Sequence, residues 1–315
     1  MCIRDSQEVF QSGPVDLSYP WLTVADLELD ISFSLSLTNL VALELITGLS
    51  LFSQVYSLGY MDKEWALARF FALLGFFEGA MSGVVLSDSL FQSYFLLEML
   101  TLSTYLLVGF WYAQPLVITA ARDAFLTKRV GDVLLLMGVV ALCSFAGGMG
   151  FNDLYAWAAT DSLSPLAATL LGLGLIAGPM GKCAQFPMHL WLDEAMEGPN
   201  PASILRNSVV VTCGAIVLLK VMPILQHSPV ALTVLLVIGS ISAIGGSLVA
   251  LAQVDIKRTL SYSTTAHLGL VFIAIALQIP VLALLLLFSH AAVSYTHLRA
   301  HETRGNLVCR LLLEK

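Results

Sequence analysis

The sequence predicts an all-α, polytopic membrane helical bundle, and three observations carry that expectation. Hydrophobic residues fill 57% of the 315 positions and charged ones 12%, about half the charged share of a soluble domain. Apolar stretches close to the roughly 20 residues that cross a hydrocarbon core recur along almost the whole chain. A handful of ionisable side chains sits inside those stretches, where each is costly and marks a candidate site.

Taken in order, the apolar stretches run near 35–58, 70–86, 90–111, 124–146, 166–191, 204–225, 230–252 and 260–277, and a ninth begins at Val281. Residues 7–34, which include Asp16, Asp26, Glu28 and Asp30, are expected outside the membrane. Basic residues fall in alternate connections: Lys63 and Arg69 after the first stretch, Arg122, Lys128 and Arg129 after the third, Arg206 after the fifth, Lys257 and Arg258 after the seventh. The intervening connections carry none. By the positive-inside rule the basic set faces the cytoplasm or a stroma-like side, and residues 7–34 face the other. Trp65, Trp111, Tyr112 and Trp191 suit an interfacial aromatic belt or simple packing.

The two ends do not fit this pattern. The tail VSYTHLRAHETRGNLVCRLLLEK, 293–315, turns basic and polar in the middle of a span, and its residues 293–303 and the head MCIRDS back-translate to sequencing-library adapter. Residues 1–6 and 293–315 are therefore expected to be translated adapter, and 35–292 to be a truncated transmembrane domain, a fragment of a longer chain. Cys143, Cys183 and Cys213 lie singly in apolar runs without ligand spacing. No Walker, dinucleotide, haem or iron-sulfur pattern occurs, so no metal or cofactor is expected in this chain, and no nucleic-acid partner.

Within the spans remain Glu44, Glu78, Glu98, Lys182, His189, Lys220 and His290, with Asp132 just inside the fourth. Lys220 lies near a span end and can snorkel. Glu44 and Glu78 fit either function or structural hydrogen bonding. Glu98, mid-span in YFLLEMLTLSTYLLVGFW, points to function. In GPMGKCAQFPMHLWLDEAMEGPNP, 178–201, Gly178-Pro179 is expected to break a membrane helix and free backbone groups, as where transporters pass ions. Lys182 follows at once. A buried lysine whose hold on its proton changes as a carboxylate approaches or withdraws is a proton-storage site.

MGKCAQFPMHLWL, AMEGPNPAS, LVGFW, AFLTKRVGD and AQVDIKRTLSYS together resemble the antiporter-like subunits of respiratory complex I, most of all the fifth-subunit branch of cyanobacterial and plastid NAD(P)H-quinone oxidoreductases. The resemblance implies an inverted-repeat fold, each repeat with one broken helix, which moves protons along a polar axis. Partner membrane and peripheral subunits would hold the quinone, the iron-sulfur clusters and NAD(P)H or ferredoxin. It implies that Glu98 and Lys182 form a switchable ion pair. It also implies that Lys257 in DIKR belongs to the proton path, against its reading as a loop charge, and that His290 in FSHAA does too. Asp132 and His189 would support them, His189 alternatively bonding the broken helix.

Departures from the family pattern cluster. Where relatives read PVSALIHAAT this chain has PASILRNSVV, so Arg206 and Asn207 stand for an apolar residue and a path histidine, and Leu286 stands for a second histidine. The combination resembles the fifth-subunit variant of complexes specialised for CO2 uptake, with a CO2-hydrating accessory subunit. The location implied is the thylakoid membrane in a cyanobacterium, or otherwise a bacterial inner membrane. Arg206 is expected at a hydrated cytoplasmic entrance, holding a carboxylate. The large subunit of a multi-subunit sodium/proton antiporter shares the motifs and is the second reading. A membrane scaffold that docks the CO2-hydrating partner is the third.

Overall fold

The computed structural model describes residues 13–24, 27–160 and 163–294. Two antiparallel strands, β1 (Val15–Val24) and β2 (Leu27–Leu35), precede the helices. The sequence reading places this segment outside the membrane and assigns it no element, and the hairpin is what it forms. Its signal is the period-two alternation of LELDISFSL, which suits a half-buried strand. Pro20 lies at the register irregularity between the strands, a place where a missing backbone donor is tolerated. The Ser32 N–H donates to Gln92 Oε1 at 2.8 Å, tying the hairpin to the bundle.

Among the described residues, seven helical stretches are long and apolar enough to cross a membrane. They include α1 (Leu37–Tyr60), α2 (Leu67–Leu86), α3 (Leu90–Val108, prolonged by a 3-10 turn at Gly109–Trp111) and α4 (Pro115–Ala146). After the short α5 (Phe151–Thr160) comes α6 (Pro165–Lys182). Beyond it lie α7 (Leu190–Glu194), α8 (Asn200–Leu205), a π-helical turn (Arg206–Val210), α9 (Val211–Lys220) and α10 (Met222–Leu225). The last three are α11 (Pro229–Ala252), α12 (Ile256–Ala276) and α13 (Pro280–Ser294).

Three features position the polar centre. First, α4 begins at Pro115 rather than near Ala124 and runs 32 residues. Arg122, Lys128 and Arg129 are therefore helical residues and not a loop. Second, α6 continues through Pro179 to Lys182. The break falls four residues later than Gly178-Pro179 suggests, over residues 183–189, where Ala184 takes φ 50°. Inside a bundle, neighbouring groups satisfy the backbone that a proline frees, so Pro179 need not end its helix. Third, the run Asn200–Lys220 is the most enclosed span, with 89% of its apolar window buried. Residues that would be interfacial on an outer helix are interior here.

Helices α4 and α6 cross almost backbone to backbone. A Cβ at Gly138 would fall 3.2 Å from the Gly174 carbonyl carbon, and one at Gly131 only 2.8 Å from the Ala177 carbonyl oxygen. Small residues give this close approach in membranes, where packing replaces the hydrophobic drive. On α1 a stripe of buried serines, Ser50, Ser53 and Ser57, does similar work, and the Ser53 hydroxyl donates to the Pro201 carbonyl at 2.9 Å.

Candidate functional site

Glycine contact between α4 and α6 brings the end of α6 against α3. The Lys182 ammonium, 3% exposed, donates to the Asp132 carboxylate at 2.7 Å and to the Leu97 carbonyl at 3.0 Å. It also bonds the Thr101 hydroxyl. Thr101 Oγ1 itself lies 3.1 Å from the Leu97 carbonyl and 3.1 Å from the Asp132 carboxylate. Asp132 is 1% exposed, so both charges are out of water and each depends on the other.

One helical turn away the pattern repeats with its signs exchanged. Glu98 precedes Thr101 by three residues on α3, and Arg129 precedes Asp132 by three on α4, a spacing that places each couple on one helix face. Arg129 and Glu98 form an ion pair, and the Tyr94 hydroxyl donates to Glu98 at 3.1 Å. The result is a ladder of two rungs, Glu98 with Arg129 and Asp132 with Lys182. The expected direct pairing of Glu98 with Lys182 is thereby corrected. The partner of Lys182 is Asp132, and Glu98 is held by Arg129, a residue that reads in the sequence as part of a basic loop.

Lys128, one residue before Arg129, points the other way because adjacent helical positions diverge by about 100°. It is 1% exposed. Its ammonium lies 3.8 Å from the centroid of the Trp191 ring, and the Trp191 indole N–H donates to the Gly181 carbonyl at 2.8 Å. Among the described residues no carboxylate forms an ion pair with Lys128. Arg206 is similar. It is 2% exposed and bonds Ser203 Oγ at 3.2 Å and Met196 Sδ at 3.7 Å, with no carboxylate partner among the described residues. The expectation of a hydrated entrance and a held carboxylate is corrected accordingly, since the most enclosed span carries this side chain. Asn207 follows in the same π turn, fully buried, with neither polar atom of its amide hydrogen-bonded.

Further along, Gln185 in the break donates to the Cys183 carbonyl at 2.9 Å and to the Thr265 carbonyl of α12 at 3.1 Å. His290 Nε2 lies 3.2 Å from the Asn207 carbonyl, and its ring stacks on His267, centroids 4.9 Å apart at 27°. The sequence does not single out His267; no spacing within one helix announces a contact between α12 and α13. Lys257 bonds the Asn200 side chain at the entrance of α8. His189 sits beside the break, between Phe186 at 5.9 Å and Tyr262 at 6.3 Å, apart from the ladder.

The remaining span residues have structural partners. The Lys220 ammonium donates to the carbonyls of Val84, Val85 and Ser87, closing the C-terminal end of α2, where a cation complements the helix dipole. Glu78 accepts from Ser50 at 2.5 Å and from Gln54 at 2.8 Å. Glu44 is exposed on α1. Among the described residues no group of three His, Cys, Asp or Glu side chains is placed to hold a metal ion.

Residues 87–300 match the family model described as NADH:quinone oxidoreductase/Mrp antiporter, transmembrane. The chain belongs to that family. Residues 21–71 match the model for the N-terminus of chain 5 of NADH-ubiquinone oxidoreductase, complex I. Over 287 residues, 90% of its length, the chain is 79% identical to NAD(P)H-quinone oxidoreductase subunit 5, organellar chromatophore 2, of Paulinella chromatophora. It is 34% identical over 290 residues to the chloroplastic subunit 5 of Poa pratensis. It spans 46% and 41% of those two relatives, less than half of each. Among solved structures, the Mrp complex from Dietzia sp. DQ12-45-1b superposes with a TM-score of 0.84 over 93% of this chain and 32% of that one, at 23% identity. The family, the antiporter-like helical fold and an integral membrane location thus agree with the sequence reading.

Proposed function

We propose that this chain is the proton-translocating part of a membrane subunit of an NAD(P)H- or ferredoxin-quinone oxidoreductase. Redox chemistry takes place on partner subunits, and this chain passes protons along a buried polar axis. The observation that carries the reading is the two-rung ladder, in which a lysine buried at the end of a broken helix shares its charge with Asp132 one turn from Glu98 and Arg129. Alternating signs at that spacing allow a change at one rung to be felt at the next. When Arg129 swings from Glu98 toward Asp132 it competes with Lys182 for the carboxylate, and the Lys182 ammonium loses part of its counter-charge. Beyond Lys182 the axis continues through Gln185, Asn207 and the His267–His290 pair. Buried amide groups without protein partners are the kind that internal water satisfies, and water hands protons on. Lys257 joins the axis from its contact with Asn200.

The test uses the full-length subunit in its assembled complex, reconstituted in vesicles. Lys182→Met and Asp132→Asn are each expected to abolish proton uptake while quinone reduction persists in part. Full uptake by Lys182→Met would remove the lysine from the mechanism. The departures at Arg206, Asn207 and Leu286 support a further reading, that the complex is the thylakoid form devoted to CO2 uptake, with a CO2-hydrating partner. Reverting Arg206-Asn207 to Ile-His in a cyanobacterial host is then expected to impair growth at low CO2 with the complex at normal abundance. Unchanged CO2 uptake would assign the pair to packing.

A further inference from the structure

We propose that Lys128 and Arg206 form a binding site for a small monovalent oxyanion, of the carboxylate type that formate and hydrogencarbonate share. The site lies where α4 meets the stretch 190–206, on the side of α4 turned away from the ladder. Lys128 approaches from α4 and sets its ammonium 3.8 Å from the centroid of the Trp191 ring. Arg206 approaches from the π turn, with Nη2 3.2 Å from Ser203 Oγ and 3.7 Å from Met196 Sδ. Trp191 lies on α7 and Met196 on the 3-10 turn that follows it, Ala195–Glu197. Across them the charges of Lys128 and Arg206 act on each other.

The enclosure carries positive charge without its complement. Lys128 is 1% exposed and Arg206 2%, and among the described residues neither has a carboxylate partner. The stretch 190–206 holds three carboxylates, and all of them turn elsewhere. Asp193 and Glu197 each lie 3.7 Å from Arg258 of α12, and Glu194 is exposed. A guanidinium stays protonated in proteins, so Arg206 is a buried charge whose desolvation one hydroxyl and a thioether do little to offset. Ordered water would satisfy a free N–H but brings no counter-charge. An anion brings both.

The donors suit an oxyanion better than a halide. Arg206 Nε is buried without a hydrogen-bond partner among the described residues. Its N–H and that of the neighbouring Nη2 form the edge of the fork that fits an O–C–O group with two parallel bonds. Ser203 Oγ accepts from Nη2 and steadies the fork. Lys128 adds the second charge, for which the face of Trp191 is only a partial substitute for a counter-ion. Met196 is the soft wall, since an unbranched thioether adapts to a small ligand while the helices stay in place. Arg206 also opens the π turn Arg206–Val210, a backbone form frequent at functional sites.

The experiment measures binding of radiolabelled formate by equilibrium dialysis against the assembled complex, near neutral pH with gluconate as the bulk anion. Wild-type complex is expected to bind formate saturably, and Arg206→Ile and Lys128→Met are each expected to weaken that binding at least about tenfold. Isoleucine is the apolar kind of residue that the resemblance places at 206, so the complex is expected to assemble, and the difference from wild type excludes any other anion site. Hydrogencarbonate is expected to displace the label, and chloride to displace it poorly. Formate is also expected to raise the melting temperature of wild-type complex and not that of Arg206→Ile. Equal binding by wild type and Arg206→Ile overturns the site. Loss in Arg206→Ile with full binding in Lys128→Met overturns the pairing, and better displacement by chloride than by hydrogencarbonate overturns the oxyanion assignment. Neither readout measures proton uptake, so failure here is separate from failure of the translocation reading.

Discussion

Lys182 and Lys128 are both buried at the junction of α4 with α6 and α7, yet they are held in opposite ways. Lys182 has a carboxylate, a hydroxyl and a backbone carbonyl around its ammonium. Lys128 has the face of Trp191, and nearby Arg206 has a serine hydroxyl and a thioether. One side of the axis is a charge-balanced ladder, and the other carries cations whose compensation is an aromatic face and a few neutral dipoles. A balanced pair can exchange partners at small net cost because the charges only redistribute. Lys128 and Arg206 have no carboxylate to exchange among the described residues. The first arrangement suits a switch, and the second does not.

Cutting the ladder should have the largest effect. Asp132→Asn leaves Lys182 buried without its counter-charge, a change that costs about 3–5 kcal/mol when a buried pair is broken from one side. The expected outcome is a clearly lower melting temperature of the purified complex, and recovery in the double variant Asp132→Asn with Lys182→Met. A double variant no more stable than the single would show that the pair is not energetically coupled. Next is the platform beneath the ladder. Gly131→Ala puts a methyl 2.8 Å from the Ala177 carbonyl oxygen, an overpacking expected to cost about 1–3 kcal/mol and readable in the same melts.

Lys128 should move stability the other way. Replacing this buried amine by a side chain of similar volume, Lys128→Met, is expected to leave stability unchanged or raise it by about 1–4 kcal/mol at most, read as an unchanged or higher melting temperature. A large loss would mean that the ring of Trp191 holds the ammonium far better than the roughly 2 kcal/mol of a desolvated cation–π contact. The smallest effect belongs to a carboxylate outside the membrane. Burial, and after it the nearby Asp16, pushes the Asp88 carboxyl above its usual range, while Lys220 opposes. The charged form is therefore disfavoured in the folded state, and Asp88 weakens the fold as pH rises through its folded pKa. Asp88→Asn should stabilise at pH 8 by less than about 1 kcal/mol and do nothing at pH 3. An equal gain at both would exclude ionisation as the cause.

Much of this is legible in the sequence, for reasons that particular residues make plain. Lys182 and Glu98 stand out because long apolar flanks leave a charge nowhere to go but inward. Their partners do not stand out. Lys128, Arg129 and Asp132 crowd into five positions at the start of an apparent span, so a linear reading sees a basic loop. The helix instead turns Lys128 toward Trp191 and Arg129 toward Glu98. Arg206 misleads for a related reason: a basic residue between two apolar runs normally marks an interface, and only the central position of Asn200–Lys220 makes it interior. Pro179 suggests a helix end that packing overrides. The hairpin at β1 and β2 has a readable alternation in LELDISFSL, easily lost beside eight stronger helical signals.

The glycine contact between α4 and α6 decides how the ladder can open. With backbone against backbone at Gly138 and Gly174, the two helices that carry Asp132 and Lys182 have no slack along their shared seam and move as one body. The pair therefore opens by side chains turning about their own bonds beside the non-helical segment 183–189. Side-chain rotation of this kind asks for no sliding of packed helices, a motion that takes microseconds to milliseconds. The rung can then change partners while the helices that carry it keep their places.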